Sequence, residues 1–249
     1  MRAQSRSWHY PRWVAHRGAG RLAPENTLAA FRLGASFGFR MFECDVKLSA
    51  DAVPFLLHDT TLERTTTGLG AAGDRSWHEL SLLDAGKWHS RAYAGEPIPS
   101  LERIAAFCIR NQFLLNIEIK PSPGNELTTG EVVAEHAEHL WREQPVPPLL
   151  TSFSTVALHA ARGRAPRLPR GLLLDTLPGD WVESALELDS AAVICNHSLW
   201  DQSTVELASK AGLRTLSYTV NDDWAAQRLI NLGTDSIITD RVDFFTPAG

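Results

Sequence analysis

Two histidines of this 249-residue chain follow short apolar runs: His16-Arg17 comes after Trp13-Val14-Ala15, and His58-Asp59 after Phe55-Leu56-Leu57. A third run, Phe42-Glu43-Cys44-Asp45-Val46, carries two carboxylates spaced so that both point to one face of a strand. Leu115-Asn116-Ile117-Glu118-Ile119-Lys120 repeats the anomaly, with Asn116, Glu118 and Lys120 as a polar stripe opposite Leu115, Ile117 and Ile119. Strands of a parallel sheet are ordinarily apolar on both faces. Two desolvated carboxylates side by side repel each other and are costly unless a cation offsets them. Glu43, Asp45 and Glu118 together offer three hard oxygen donors to a divalent cation, Mg²⁺ or Ca²⁺. Lys120 and Arg17 add positive charge beside them. Two histidines can act as acid and base on opposite sides of one reacting centre. The set suits phosphate-ester chemistry, in which a metal and two cations stabilise the charge that grows on phosphate oxygens. Among the other histidines, His197 stands at a strand end as a weaker pocket candidate. The remaining six are read as surface or insertion residues.

These residues need a scaffold that places strand ends together. Apolar, β-rich runs at 13–16, 41–48, 54–58, 113–120, 149–153, 171–175, 191–197, 214–220 and 236–240 alternate with helical patterns. The helical patterns fall at 27–37, 100–110, 129–142, 155–162, 181–188, 203–211 and 222–232, with Asn26 or Thr27 as the first N-cap. Such alternation means βαβ units and a parallel sheet. If 41–48 and 54–58 are two halves of one barrel position broken by the turn Ser49-Ala50-Asp51, the count is eight, as in a TIM (β/α)8 barrel. Residues 60–99 break the rhythm with a stretch far longer than an ordinary βα loop. They include Thr65-Thr66-Thr67-Gly68, Trp77-His78 and Trp88-His89. The expected organisation is one barrel domain over 1–249, with 60–99 as an inserted cap after the second strand.

Composition narrows the partners. With 24 Lys+Arg against 29 Asp+Glu the net charge is −5, which argues against a nucleic-acid polyanion and leaves a small anion in a local positive pocket. Cys44, Cys108 and Cys195 are odd in number and widely spaced, as expected of buried free thiols in a reducing compartment. The basic N-terminus has no apolar segment behind it, and no run is long enough to span a membrane. A cytoplasmic location follows as the expectation.

Gly18-x-Gly20-x-x-Ala23 also fits the dinucleotide fingerprint, with Glu43 and Asp45 at the expected distance. Against an NAD-binding oxidoreductase stands Pro24, where the fingerprint needs a helix already running. Gly18 and Gly20 are read instead as permitting close approach of backbone and ligand.

The order His16-Arg17-Gly18, Pro24-Glu25-Asn26-Thr27, Glu43-x-Asp45, His58-Asp59, Glu118-x-Lys120 resembles the glycerophosphodiester phosphodiesterase family, and within it the short cytoplasmic bacterial enzymes associated with glycerol-phosphate uptake. The resemblance runs from Val14 to Asp240 and includes Tyr218-Thr219-Val220-Asn221 and Ile237-Ile238-Thr239-Asp240. It implies a TIM barrel with a small insertion after the second strand. It further implies His16 and His58 as the catalytic pair, Glu43, Asp45 and Glu118 as metal ligands, and Arg17 and Lys120 on the substrate phosphate. The family hydrolyses glycerophosphodiesters to glycerol 3-phosphate and an alcohol. Tyr218 stands where many members carry Trp, and Glu25 and Asn26 are read as loop and cap residues. The nearest rivals are a related metal-dependent phosphodiesterase of lipids, which would need an apolar docking surface, and a binding barrel without turnover.

Overall fold

The computed structural model describes residues 8–247, so residues 1–7, on which part of the N-terminal reading rests, and 248–249 lie outside the described residues. Along the chain run β1 (Trp13–Ala15), α1 (Leu28–Ser36), β2 (Met41–Leu48), β3 (Pro54–Leu56), α2 (Trp77–Ser81), α3 (Leu101–Arg110), β4 (Leu114–Ile119), α4 (Glu126–Trp141), β5 (Leu149–Ser152), α5 (Thr155–Arg164), β6 (Arg170–Leu174), α6 (Trp181–Glu187), β7 (Ala192–Asn196), α7 (Gln202–Ala211), β8 (Arg214–Tyr218), α8 (Asp223–Leu232) and β9 (Ser236–Thr239). Local chemistry sets the helix limits. Thr27, Ser100, Ser154, Asp201 and Asp222 each accept an early helical N–H through a side-chain oxygen. α7 and α8 stop at Gly212 and Gly233, whose φ of +76° and +80° a residue with a Cβ adopts only at a cost. α4 begins at Glu126, ahead of the position the apolar spacing indicates, after a turn at Gly124 (φ +83°).

The eight parallel strands close on themselves in the order β1-β9-β8-β7-β6-β5-β4-β2, with β2 pairing back to β1 through Phe42 and Ala15. With helices between the strands this is a TIM barrel. Outward residues such as Phe42, Cys44, Val46, Leu115, Ile117 and Ile119 pack with α1, α3 and α4 in one large apolar cluster. The lower interior is filled by Val14, Met41, Leu149, Leu173, Ala192, Ile194, Leu216 and Ile238. Above this plug the inward row of β2 turns polar, through Glu43, Asp45 and Lys47, all buried. The three cysteines are buried and free.

β3 departs from the expected geometry. It does not prolong β2 but doubles back on it antiparallel, pairing Val46 with Leu56, Lys47 with Phe55 and Leu48 with Pro54. The turn is closed by the Ser49 N–H to Val53 O hydrogen bond at 3.1 Å, with Ala52 at φ +60°. This hairpin has a consequence for the site. A continuous strand would carry His58 roughly 40 Å past Asp45 at ~3.3 Å per residue. The hairpin instead returns Leu57 to the level of Asp45, where the Leu57 N–H donates to Asp45 O at 3.1 Å.

Between β3 and α3 the chain makes its long excursion, carrying α2 and an apolar nucleus of its own: Phe55, Leu57, Leu62, Ala72, Leu80, Ala85 and Ile98. Trp77, half-buried, packs at the margin of that nucleus, and Trp88 is exposed. Among the described residues no helix is long and apolar enough to cross a membrane.

Candidate active site

Strand register brings the acidic residues together. In the parallel β2–β4 pair, Glu43 lies opposite Asn116 and Asp45 opposite Glu118. Alternation then turns Glu43, Asp45 and Glu118 inward, and one carboxylate oxygen from each lies within 4.8 Å of the other two. Burial and the Asp45 charge push the Glu43 carboxyl up to about 8. Glu118 is raised as well, by burial and by Asp45, against the pull of Lys120. Asp45 goes the other way: burial opposes its charge, but Arg17, Lys120, His58 and the Asn26 hydrogen bond outweigh it and hold the carboxyl well below the usual range. Two buried oxygens, Glu43 Oε1 and Asp45 Oδ1, accept no well-formed hydrogen bond, and Asp45 Oδ1 has only the Lys120 ammonium 3.3 Å away as an ion-pair partner. A cluster of carboxylates with such oxygens fits a hard divalent cation, the group whose charge would offset both burial and repulsion.

The cations come from loops at the same end of the barrel. Arg17, just beyond β1, has φ +51°, and its backbone N–H donates to Glu43 Oε2 at 3.0 Å. Its guanidinium lies 3.2 Å (Nε) from Asp45 Oδ2 and donates through Nη1 to Glu25 at 2.8 Å. Lys120 Nζ sits 2.7 Å from Glu118 Oε1 and 3.3 Å from Asp45 Oδ1. Its backbone carbonyl accepts from Lys47 Nζ at 3.2 Å. Burial and the nearby Lys120 charge press the Lys47 amine down to about 8.

Each histidine is held by a carboxylate on Nδ1: His16 by Asp240 at 2.6 Å, beyond β9, and His58 by its neighbour Asp59 at 2.7 Å. A carboxylate at Nδ1 selects the Nδ1–H form of a neutral ring and leaves Nε2 for chemistry. Their surroundings push the two rings apart. Burial opposes charge on His16, but the Asp240 hydrogen bond and Glu43, 3.8 Å from Nε2, outweigh it and raise the pKa. At His58 burial prevails over Asp45 and Asp59, and the pKa falls. Both rings, with Arg17, Lys120, Glu43 and Glu118, line one cavity of about 370 Å³ walled on the far side by Phe153, Asp175 and Tyr218. Tyr218 OH donates to Leu174 O at 3.0 Å and lies 2.9 Å from Asp175 Oδ1, and its ring meets Phe153 edge-on.

Similarity to known proteins agrees with this geometry. The glycerophosphoryl diester phosphodiesterase family model matches residues 16–244. The chain belongs to that family. Glycerophosphodiester phosphodiesterase of Caldanaerobacter subterraneus subsp. tengcongensis is 33% identical over 232 residues, which cover 91% of this chain and 93% of that protein. A phosphodiesterase of Oleispira antarctica, solved with its product sn-glycerol 3-phosphate, superposes with a TM-score of 0.86 at 35% identity over 92% of this chain and 93% of its own. A glycerophosphodiester phosphodiesterase of Agrobacterium tumefaciens superposes at 0.79, with 29% identity over 95% and 99% of the two chains. The chain is thus an enzyme of the glycerophosphodiester phosphodiesterase class, and the oxidoreductase reading falls. The loop after β1 leads through Pro24 to a helix that starts only at Leu28, and Gly18 packs against that helix's first turn at Ala30 and Phe31 too closely to admit a pyrophosphate between them.

All seven residues singled out in the sequence as site candidates meet in this region, Asp45 beneath the cavity and the other six on its wall. Three expectations need correction. Gly18 and Gly20 admit backbone rather than ligand: a Cβ on Gly20 would lie 2.2 Å from Asp240 O, and one on Gly18 2.8 Å from Ala30 Cβ. Asn26 is no cap, since Thr27 fills that place. With φ +58°, Asn26 turns its amide inward to donate to Asp45 Oδ2 at 2.8 Å and accept the Asp45 N–H at 3.1 Å. His197 lies in the turn after β7, where its carbonyl accepts from Arg228, and it is not among the cavity-lining residues. Asp240 was missed although it directly follows the last strand, the same signal that singled out His16 after the first. Asp59, Glu25 and Arg64 were missed because charged loop residues look alike until the loops meet.

Proposed function

We propose that the enzyme hydrolyses glycerophosphodiesters such as glycerophosphocholine or glycerophosphoethanolamine to sn-glycerol 3-phosphate and an alcohol. The observation that carries this reading is the meeting of two carboxylate-held histidines with an acidic triad and two cations around one cavity, in a chain of this family. The product held by the Oleispira antarctica relative supports glycerol 3-phosphate as the released half.

Glu43, Asp45 and Glu118 would hold one divalent cation, Mg²⁺ or Ca²⁺, which when bound would supply Lewis-acid charge to the site. Arg17 and Lys120 bind the phosphate oxygens and neutralise charge as the phosphorus becomes five-coordinate. A water attacks phosphorus opposite the departing alcohol, or the glycerol 2-hydroxyl does so and a water then opens the P–O2 bond of the cyclic phosphate to give glycerol 3-phosphate. One histidine Nε2 takes the nucleophile's proton and the other gives one to the leaving alkoxide. Asp240 and Asp59 hold the two rings in the orientation this needs. The chain works as one barrel domain with residues 60–99 as its cap beside His58, and in the cytoplasm, where three buried unpaired thiols are at home.

The test is substitution of each histidine. His16→Ala and His58→Ala should each lower kcat by a factor of about 10² to 10⁴ with the barrel still folded. If either variant turns over at the native rate, the paired-histidine mechanism is wrong. Trapping a cyclic glycerol phosphate would assign the attack to the 2-hydroxyl, whereas single-step ¹⁸O incorporation with inversion at phosphorus would assign it to water.

A further inference from the structure

The segment Leu62-Glu63-Arg64-Thr65-Thr66-Thr67-Gly68 opens the excursion and has no part in the chemistry above. Its backbone is pinned locally. Thr66 N–H and Oγ1 both donate to Leu62 O, at 3.1 and 2.6 Å, and Gly68 N–H donates to Thr66 Oγ1 at 2.9 Å. Thr65 and Thr66 are buried, so Arg64 leaves a fixed turn. Its guanidinium then joins two carboxylates from different loops. Nη1 and Nη2 donate to the two oxygens of Glu25, both at 2.8 Å. Nε donates to Asp59 Oδ2, and Nη2 also donates to Asp59 Oδ1 at 3.0 Å.

Both carboxylates have a second partner. Glu25 Oε1 accepts from Arg17 Nη1 at 2.8 Å, and Asp59 Oδ1 is 2.7 Å from His58 Nδ1. The result is an unbroken chain of charge-assisted contacts, Arg17–Glu25–Arg64–Asp59–His58. It spans the loop after β1, the turn after β3 and the start of the excursion. From this geometry we infer that Arg64 is a positioning residue that fixes the phosphate-binding Arg17 and the His58 ring relative to one another, so that the excursion sets the active-site geometry from outside the cavity. The inference rests on the proposed function for the roles of Arg17 and His58.

Only a planar fork can do this. Arg64 uses Nε, Nη1 and Nη2 in four hydrogen bonds to two carboxylates whose planes it fixes. A lysine at this position keeps the charge but offers a single nitrogen, which cannot hold both carboxylates in those planes. The arrangement also accounts for the low pKa of Asp59, which the Arg64 hydrogen bond lowers first, and of Glu25, where Arg64 and Arg17 outweigh burial.

Arg64→Lys is the test, read in three ways on the full chain with saturating Mg²⁺. First, kcat/KM on glycerophosphocholine should fall by about 10-fold or more, shared between a lower kcat, through His58, and a higher KM, through Arg17, with the inhibition constant of sn-glycerol 3-phosphate rising alongside KM. Second, the same substitution made in a Glu25→Gln/Asp59→Asn background should cost less than about 2-fold, since the partners it acts through are already altered. Third, ¹⁵N NMR of the His58 ring should show the Nδ1–H tautomer in the native chain and a mixture in Arg64→Lys. Native kcat/KM in Arg64→Lys, or a loss undiminished in the double-variant background, would overturn the inference. So would an unchanged His58 tautomer, a measurement that needs no turnover. A native chain inactive on every glycerophosphodiester would sink the proposed function and leave the tautomer experiment to judge Arg64 separately.

Discussion

At the scale of single residues the site is a problem in charge placement. Glu43 and Asp45 lie two residues apart on one face of a strand and are buried; Arg17 and Lys120 offset part of their charge, while Glu43 Oε1 is left without a hydrogen-bond donor. Removing one acid, as in Glu43→Gln, should cost little stability and relieve repulsion, yet abolish most divalent-cation affinity. Isothermal titration with Mg²⁺ and Ca²⁺ measures this, and native-like affinity in that variant would remove Glu43 from the ligand set. Asp240 makes the complementary case. It touches His16 alone among the candidate residues, at 2.6 Å, and also accepts from Asn221 Nδ2 at 2.9 Å. Asp240→Asn keeps the shape but loses the preference for the Nδ1–H ring. It should lower kcat by about 100-fold or more with KM nearly unchanged, in steady-state kinetics.

At the scale of elements, two devices place these residues: the β2–β3 hairpin that returns His58 to the level of Asp45, and the close crossing of the β1–α1 loop over the end of β9. The crossing depends on Gly20, with φ +57° and Asp240 backbone where a Cβ would stand. Gly20→Ala should therefore destabilise by about 2 kcal/mol and displace Asp240, lowering both the unfolding midpoint and kcat. Gly163→Ala in α5, where a Cβ meets nothing within 4 Å, should be neutral or stabilising by up to about 1 kcal/mol without effect on turnover. Urea denaturation of the two variants checks both. The barrel strands and the helices flanking them were legible in the sequence because apolar period and cap residues act locally. The hairpin was not, since the alternation of 54–58 is the same whether the chain continues or reverses, and only pairing with Val46, Lys47 and Leu48 decides. For the same reason the inward acids were legible from alternation, whereas Asn26, Asp59 and Arg64 are recruited by contacts between loops distant in sequence.

For the whole molecule, the ion pairs that join loops to the barrel mouth make stability depend on acid. Asp59, Glu25 and Asp240 all have carboxyl pKa values below their ordinary ones: Arg64 lowers that of Asp59, while at Glu25 and Asp240 burial is outweighed by Arg64 and Arg17 and by His16. Groups lowered by folding contribute fully above their unfolded pKa of about 4 and lose that contribution as pH falls through the folded value. Thermal scans should thus show Tm falling from about pH 4 downward, and less steeply in Asp59→Asn. Equal slopes would mean that the Asp59 pair contributes nothing to stability. The central claim, that these groups together form a metal-dependent phosphodiesterase, is tested most directly by enzyme-coupled detection of sn-glycerol 3-phosphate released from glycerophosphocholine by EDTA-stripped protein. The predicted result is no release until Mg²⁺ or Ca²⁺ is returned, then one glycerol 3-phosphate per diester consumed. Release undiminished by stripping would contradict the metal site, and no release from any glycerophosphodiester with any divalent cation would contradict the assigned reaction.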